Sequence, residues 1–162
     1  MRLGVISDTH DHVDRLRRAL ALFKAQGVEL VLHAGDIVAP FMSEPFREAG
    51  LGVVAVFGNN DGDRLYLRER FAGVGEIHVG PKELELAGWR ILLLHEPYAL
   101  EALVCSGKYD VIIYGHTHRA EIRAGSPLVV NPGEACGWLT GHPTCALVDL
   151  STLEGTLIHL HA

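Results

Sequence analysis

The sequence predicts an α/β fold in which two mixed β-sheets pack face to face with helices on the outside. Three observations predict it. First, apolar runs of strand length recur along the chain, at residues 3–7, 29–34, 52–57, 90–95, 110–114, 128–131, 145–150 and 156–160. Several are near-continuous Val, Ile and Leu, the pattern of strands covered on both faces. Second, in the first half these runs alternate with helical stretches, which implies right-handed parallel crossovers. Third, the last three runs follow one another with little helix between them, so the sheets are mixed.

Taken in order, residues 3–7 form the first strand and residues 13–26 the first helix. In that helix Val13, Leu16, Leu20 and Phe23 recur at helical spacing, with Arg15, Arg17, Arg18 and Lys24 between them. Gly27 stops it, as glycine does just past a helix end. Residues 41–49, 63–71 and 97–106 are weaker helices. Residues 83–86 and 90–94 flank Ala87-Gly88-Trp89 and read as a hairpin. The Gly- and Pro-containing stretch 131–143 is a long loop, of the kind that often carries function. No repeat or linker interrupts the chain, and residues 1–162 read as a single domain.

Composition removes several classes of function. The net charge is −6 with no Lys/Arg block, which argues against tight binding of duplex nucleic acid. Nucleotides and short oligonucleotides stay open. No apolar run is long enough to span a bilayer, and the N-terminal residues lack a signal-peptide layout, so the expected place is the cytoplasm, without membrane attachment. Cys105, Cys136 and Cys145 imply no disulfide framework and read as small buried apolar residues. Apolar strands near the C-terminus permit a homodimer.

Five polar clusters each close an apolar run: Asp8-Thr9-His10, Gly35-Asp36, Gly58-Asn59-Asn60-Asp61, His95, and Gly115-His116-Thr117-His118. In parallel sheets, ligands bind where strand carboxyl ends converge. Asp8, His10, Asp36, Asn59, His95, His116 and His118 are candidate metal ligands. Two aspartates, one asparagine and four histidines are too many donors for one ion and suit two. Paired divalent cations sharing a carboxylate are built for in-line attack on phosphorus. Mixed imidazole and oxygen donors fit Mn, Fe, Zn, Co or Ni better than Mg. Gly35, Gly58 and Gly115 each precede a candidate ligand, where a missing Cβ lets the backbone turn sharply. Taken singly, each histidine reads as an ordinary, partly buried polar residue; the ordered set does not.

That ordered set, D-x-H, G-D, G-N-x-D, a lone His after a strand, and G-H-T-H, resembles the calcineurin-like metallophosphoesterase superfamily, in its small bacterial and archaeal phosphodiesterase branch. The resemblance covers essentially the whole chain. It implies that Asp8, His10 and His118 hold one divalent ion, that Asn59, His95 and His116 hold another, and that Asp36 bridges. It further implies two divalent metal ions, commonly Mn2+, a metal-bridging water or hydroxide as nucleophile, and a small phosphodiester or nucleotide-like substrate. The rival readings are a phosphomonoesterase or pyrophosphatase on the same site, and a non-catalytic scaffold on the same fold.

Departures from the family pattern matter as much. Many members carry His where Asn60 stands, and an amide is no useful proton donor. Asn60 and Asp61 are the candidate catalytic residues, Asn60 as a hydrogen-bond donor and Asp61 as a group that orients a ligand or a neighbour. Ile37 follows Gly35-Asp36 where protein phosphatases carry an Asp-Arg pair, so the arginine that grips substrate phosphate is missing. Small relatives often read Asn-Pro-Gly-Ser; here Glu134 follows Asn131-Pro132-Gly133, and near the cleft it is expected to repel an anionic substrate. His12 reads as a helix-start residue, His33 as a strand residue facing a neighbour, Trp138 as a packing residue, and His159 and His161 as solvated residues on one strand face.

Overall fold

The computed structural model describes residues 1–160; residues 161–162, His161 among them, lie outside the described part. The chain runs β1 (Arg2–Ile6), α1 (Val13–Ala25), β2 (Leu30–His33), a 3-10 turn (Pro40–Met42) leading into α2 (Ser43–Ala49), β3 (Val53–Val56), α3 (Arg64–Phe71) and β4 (Gly75–His78). It continues with β5 (Lys82–Leu86), β6 (Trp89–Leu93), α4 (Leu100–Cys105), β7 (Val111–Ile113), β8 (Glu121–Arg123), β9 (Leu128–Asn131), β10 (Thr144–Asp149) and β11 (Glu154–His159). Six strands form one sheet in the order β11-β10-β1-β2-β3-β4, and five form another in the order β5-β6-β7-β9-β8.

The expected crossovers are present. β1, β2, β3 and β4 pair in parallel, and so do β6, β7 and β9. β5 and β6 form the antiparallel hairpin, turning at Ala87 and Gly88 with φ of 51° and 83°. Two strands were not legible. β4 is short and buries only Ile77. β8 is half-buried Glu-Ile-Arg at a sheet edge, with none of the apolar run that marks the central strands.

Period-two alternation builds the layers. Along β1, Leu3 and Val5 face the second sheet, while Ile6 faces Leu16, Leu20 and Phe23 of α1. Along β6, Ile91 and Leu93 face the first sheet, while Leu92 and its neighbour Leu94 face Leu100, Leu103 and Val104 on or beside α4. The chain is therefore an αββα sandwich with three apolar seams. Each fully buried Leu, Ile or Phe contributes about 1.5–3 kcal/mol relative to exposure. α1 ends close to expectation, with Gln26 at the cap and Gly27 at φ 69°. α3 begins on Asp63, whose carboxylate accepts from the Tyr66 amide at 3.1 Å.

Loop 132–143 links β9 of the five-stranded sheet to β10 of the six-stranded sheet. On the way it passes the end of β1. Cys136 N donates to Asp8 O at 3.1 Å, and Ala135 N donates to Ser7 O at 3.0 Å.

Candidate metal centre

All seven candidate ligands follow strand ends from both sheets, and the structure brings them together. Asp8 and His10 follow β1, Asp36 follows β2 and Asn59 follows β3. His95 follows β6, and His116 and His118 follow β7. Asp8, Asp36 and His95 are buried and form the floor, while Asn59 and His116 are exposed at the rim. Asp8 Oδ1 lies 3.8 Å from His10 Nε2 and 3.3 Å from His118 Nε2. Asp36 Oδ2 lies 3.5 Å from His10 Nε2 and 3.4 Å from His95 Nε2. Asn59 Oδ1 lies 2.9 Å from both His95 Nε2 and His116 Nδ1. One oxygen of Asp36 thus stands between two groups of donors.

These donors fit a pair of cations. Asp8 Oδ1 and His10 Nε2 are buried atoms with no hydrogen-bond partner, a costly state unless something else satisfies them. His95 Nδ1 faces the carbonyl oxygen of Ala34 at 2.7 Å, and His118 Nδ1 faces Glu134 Oε2 at 2.8 Å. Each Nδ1 must carry the proton, so each Nε2 lone pair points into the cluster. This is how outer partners prepare imidazoles for metal. The carboxylates make proton uptake the competing outcome. The facing Asp8 carboxylate raises the pKa of His10, against burial, which lowers it. At His95 burial works downward and is outweighed by Asp36, so that pKa also rises. Burial works against ionisation of Asp36, yet His95 and Asn60 hold its carboxyl well below the usual range.

The backbone is bent to reach this arrangement. Asp8, His10, Asp36, His116 and His118 have φ of 52°, 37°, 58°, 65° and 59°. Asp, Asn and His enter this left-handed region more readily than other side chains, but the strain still costs about 1–3 kcal/mol at each position. Of the three flanking glycines, Gly35 turns the chain as expected, with φ of 101°, and the other two serve a different purpose. Gly58 and Gly115 are not at positive φ; they leave room. A Cβ on Gly58 would lie 2.1 Å from Asp36 Oδ1, and one on Gly115 would lie 2.0 Å from Ser7 Oγ and 2.9 Å from Asp8 Oδ2.

Several outer residues have partners the sequence did not disclose. Asn60 donates its backbone amide to Asp36 Oδ1 and its side-chain amide to Asp36 Oδ2, at 2.8 and 2.7 Å. Asp61 is buried and accepts from the backbone amides of Asp36, Val38 and Gly58. Burial raises its pKa against those bonds, and its oxygens tie two loops together. Glu134 lies by the cluster, as expected, but takes a structural role. Its carboxylate is fully buried and accepts from His118 Nδ1, from Cys136 Sγ at 3.2 Å and from Thr140 Oγ1 at 2.6 Å. Burial opposes its charge, but these donors hold its pKa down at about 2. It orients an imidazole and pins the loop instead of facing solvent. Cys136 comes within ligand distance of His10 and His118, and burial pushes its thiol up to about 12.

His12 is the N-cap of α1, as expected of a helix-start residue, and its ring also stacks on the exposed Trp138 with centroids 4.9 Å apart. Among the described residues no helix is long and apolar enough to cross a membrane.

Comparison with known proteins agrees with this geometry. Residues 1–153 match the family model of the calcineurin-like phosphoesterase superfamily domain. The chain is 38% identical over 159 residues to the phosphodiesterase MJ0936 of Methanocaldococcus jannaschii, covering 95% of this chain and 96% of that one. It is 29% identical over 159 residues to the phosphodiesterase YfcE of Escherichia coli, covering 88% and 84%. A solved archaeal phosphodiesterase superposes with a TM-score of 0.92 at 37% identity, covering 98% of this chain and 99% of that one. The chain belongs to the calcineurin-like phosphoesterase superfamily and is a phosphoric ester hydrolase.

Proposed function

We propose that the chain is a phosphodiesterase that works with two divalent cations on small diesters or nucleotide-like substrates. The observation that carries this reading is the unsatisfied pair at the centre, Asp8 Oδ1 and His10 Nε2, buried among converging donors. Asp8, His10 and His118 would hold one ion, Asn59, His95 and His116 the other, and Asp36 both. Mn2+ is the proposed metal, and Fe, Zn, Co or Ni suit the same donors. When bound, such a pair supplies an acidified water and positive charge for the phosphoryl oxygens.

The protein's own groups set the preference for diesters. Asn60 steadies the shared carboxylate through two hydrogen bonds and has no proton to give a departing alkoxide. In hydrolysis the water oxygen bonds to phosphorus, the P–O ester bond breaks, and its electron pair leaves with the alcohol oxygen. That anion must be stable by itself or take its proton from water, which favours aryl and other good leaving groups. The rim position of Asn59 and His116 leaves the cluster open to substrate. A cytoplasmic setting fits the three free thiols. A homodimer would use β11, an edge strand of its sheet, and sedimentation tests it.

Hydrolysis of bis(4-nitrophenyl) phosphate and of the 4-nitrophenyl monoester, each with added Mn2+, tests the reading. The diester is expected to turn over at least about tenfold faster, and Asp36→Asn to lose about 100-fold or more. Protein that holds metal by elemental analysis yet turns over neither ester would overturn it.

A further inference from the structure

We propose that the cavity beside Asn59 and His95 is a subsite for an apolar or aromatic ester group of the substrate. This rests on the phosphodiesterase reading and narrows it. The cavity has a volume of about 640 Å³, within the usual span for small-molecule sites. It is continuous with the cluster, because Asn59 and His95 line it. Its other walls are mainly apolar: Phe57, Leu92, Leu94, Leu103 and Tyr109.

The fold explains why the space is there. The outer face of β6 carries Leu92 and Leu94 toward α4, but α4 has only six residues and none of them is fully buried. A close-packed interior leaves few voids larger than a water molecule, so a space of this size under so short a helix is not an ordinary packing defect. Val79 and Tyr98, also on the lining, are 71% and 76% exposed and keep the space accessible.

Its charges decide what it takes. Arg64 lies with its guanidinium 5.1 Å from the Phe57 ring centroid and donates to the carbonyls of Asp61 and Gly58. Glu96 is the one acidic side chain on the lining. One cation against one anion gives no surplus positive charge for a second phosphate. A polyphosphate chain is therefore disfavoured and a neutral organic group favoured, with Phe57 and Tyr109 available to an aromatic ring.

The test uses the metal-loaded full chain and two inert diesters, diphenyl phosphate and dimethyl phosphate, measured by calorimetry. Diphenyl phosphate is expected to bind at least about tenfold more tightly, since apolar pockets discriminate about tenfold or more for a single methylene. Leu103→Trp fills the cavity and should bring the ratio of the two Kd values toward one. Val79→Asp charges the exposed rim without disturbing the core and should lower the same ratio. Equal Kd values in the native chain, a ratio untouched by either variant, or no binding of either ester would overturn the proposal. Turnover of phenyl and methyl 4-nitrophenyl phosphates, which share a leaving group, separates the two readings. No turnover with the binding ratio intact removes the phosphodiesterase reading and leaves the subsite. Turnover of both with equal kcat/KM and equal Kd values removes the subsite alone.

Discussion

His33 makes stability depend on acid in a way that can be calculated. It ends β2, is fully buried, and sits between two fixed partners. The Gly35 amide donates to His33 Nδ1 at 3.1 Å, so Nδ1 carries no proton. Nε2 therefore holds the proton, 3.1 Å from Thr9 Oγ1. A second proton would set two donors against each other at Nδ1. Burial, the largest cause, lowers the pKa from 6.5 to about 4, with His95 and His10 adding to it and Asp8 and Asp36 opposing. The unfolded chain gains a proton below pH 6.5 that the folded chain refuses, so this stability is whole above pH 6.5 and is lost as pH falls toward 4. At about 1.4 kcal/mol for each unit the full loss is about 3 kcal/mol, of which about 2 kcal/mol is gone at pH 5. Urea unfolding of chelator-stripped protein between pH 8 and pH 5 measures it. The native chain should lose about 2 kcal/mol more over that interval than His33→Gln, which cannot titrate. Parallel stability curves for the two would refute the reasoning. The point matters for the site because the Gly35 amide that faces His33 lies in the turn that presents Asp36.

Other outcomes follow from the same geometry. Glu134→Gln removes the anion behind His118 and should weaken Mn2+ binding about 10–100-fold in a competition titration against a chelator. Gly115→Ala forces a methyl group into Ser7 Oγ and the Asp8 carboxylate; it should cost about 1–3 kcal/mol in urea unfolding and also impair metal binding. Of the three cysteines only Cys105 is exposed, so a thiol reagent should label one thiol per native chain and three in denaturant. Burial pushes the Cys136 and Cys145 thiols up to about 12, and that lone reactive thiol should persist at pH 8.

The sequence carried the layers and the edge at which the candidate donors converge because both are written locally. Near-continuous apolar runs mark strands covered twice, and a polar residue at the end of each run marks the edge where strands converge. What it hid was mutual. Nothing local separates an exposed Glu134 from one folded under loop 132–143 against His118, although its place where relatives often carry serine was a usable signal. Gly58 and Gly115 were credited with turning the chain, when their reason is a neighbour arriving from a distant strand. β4 and β8 were missed because edge strands of a covered sandwich bury too little to leave an apolar run. Asn60 was singled out as a departure and Asp61 as a group that orients a neighbour, but that their bonds run to Asp36 and its loop only the fold discloses.

The donors are split between the two layers, three strands of one sheet and two of the other. No half of the molecule contains a working centre, and a fragment that kept one layer intact would be inert. A slip of about 1 Å between the layers can cost a reaction about 100-fold, far below what spectroscopy of helices and strands detects. Turnover thus serves as a gauge of sandwich alignment, and gentle heating or mild denaturant should silence the protein before its secondary structure melts.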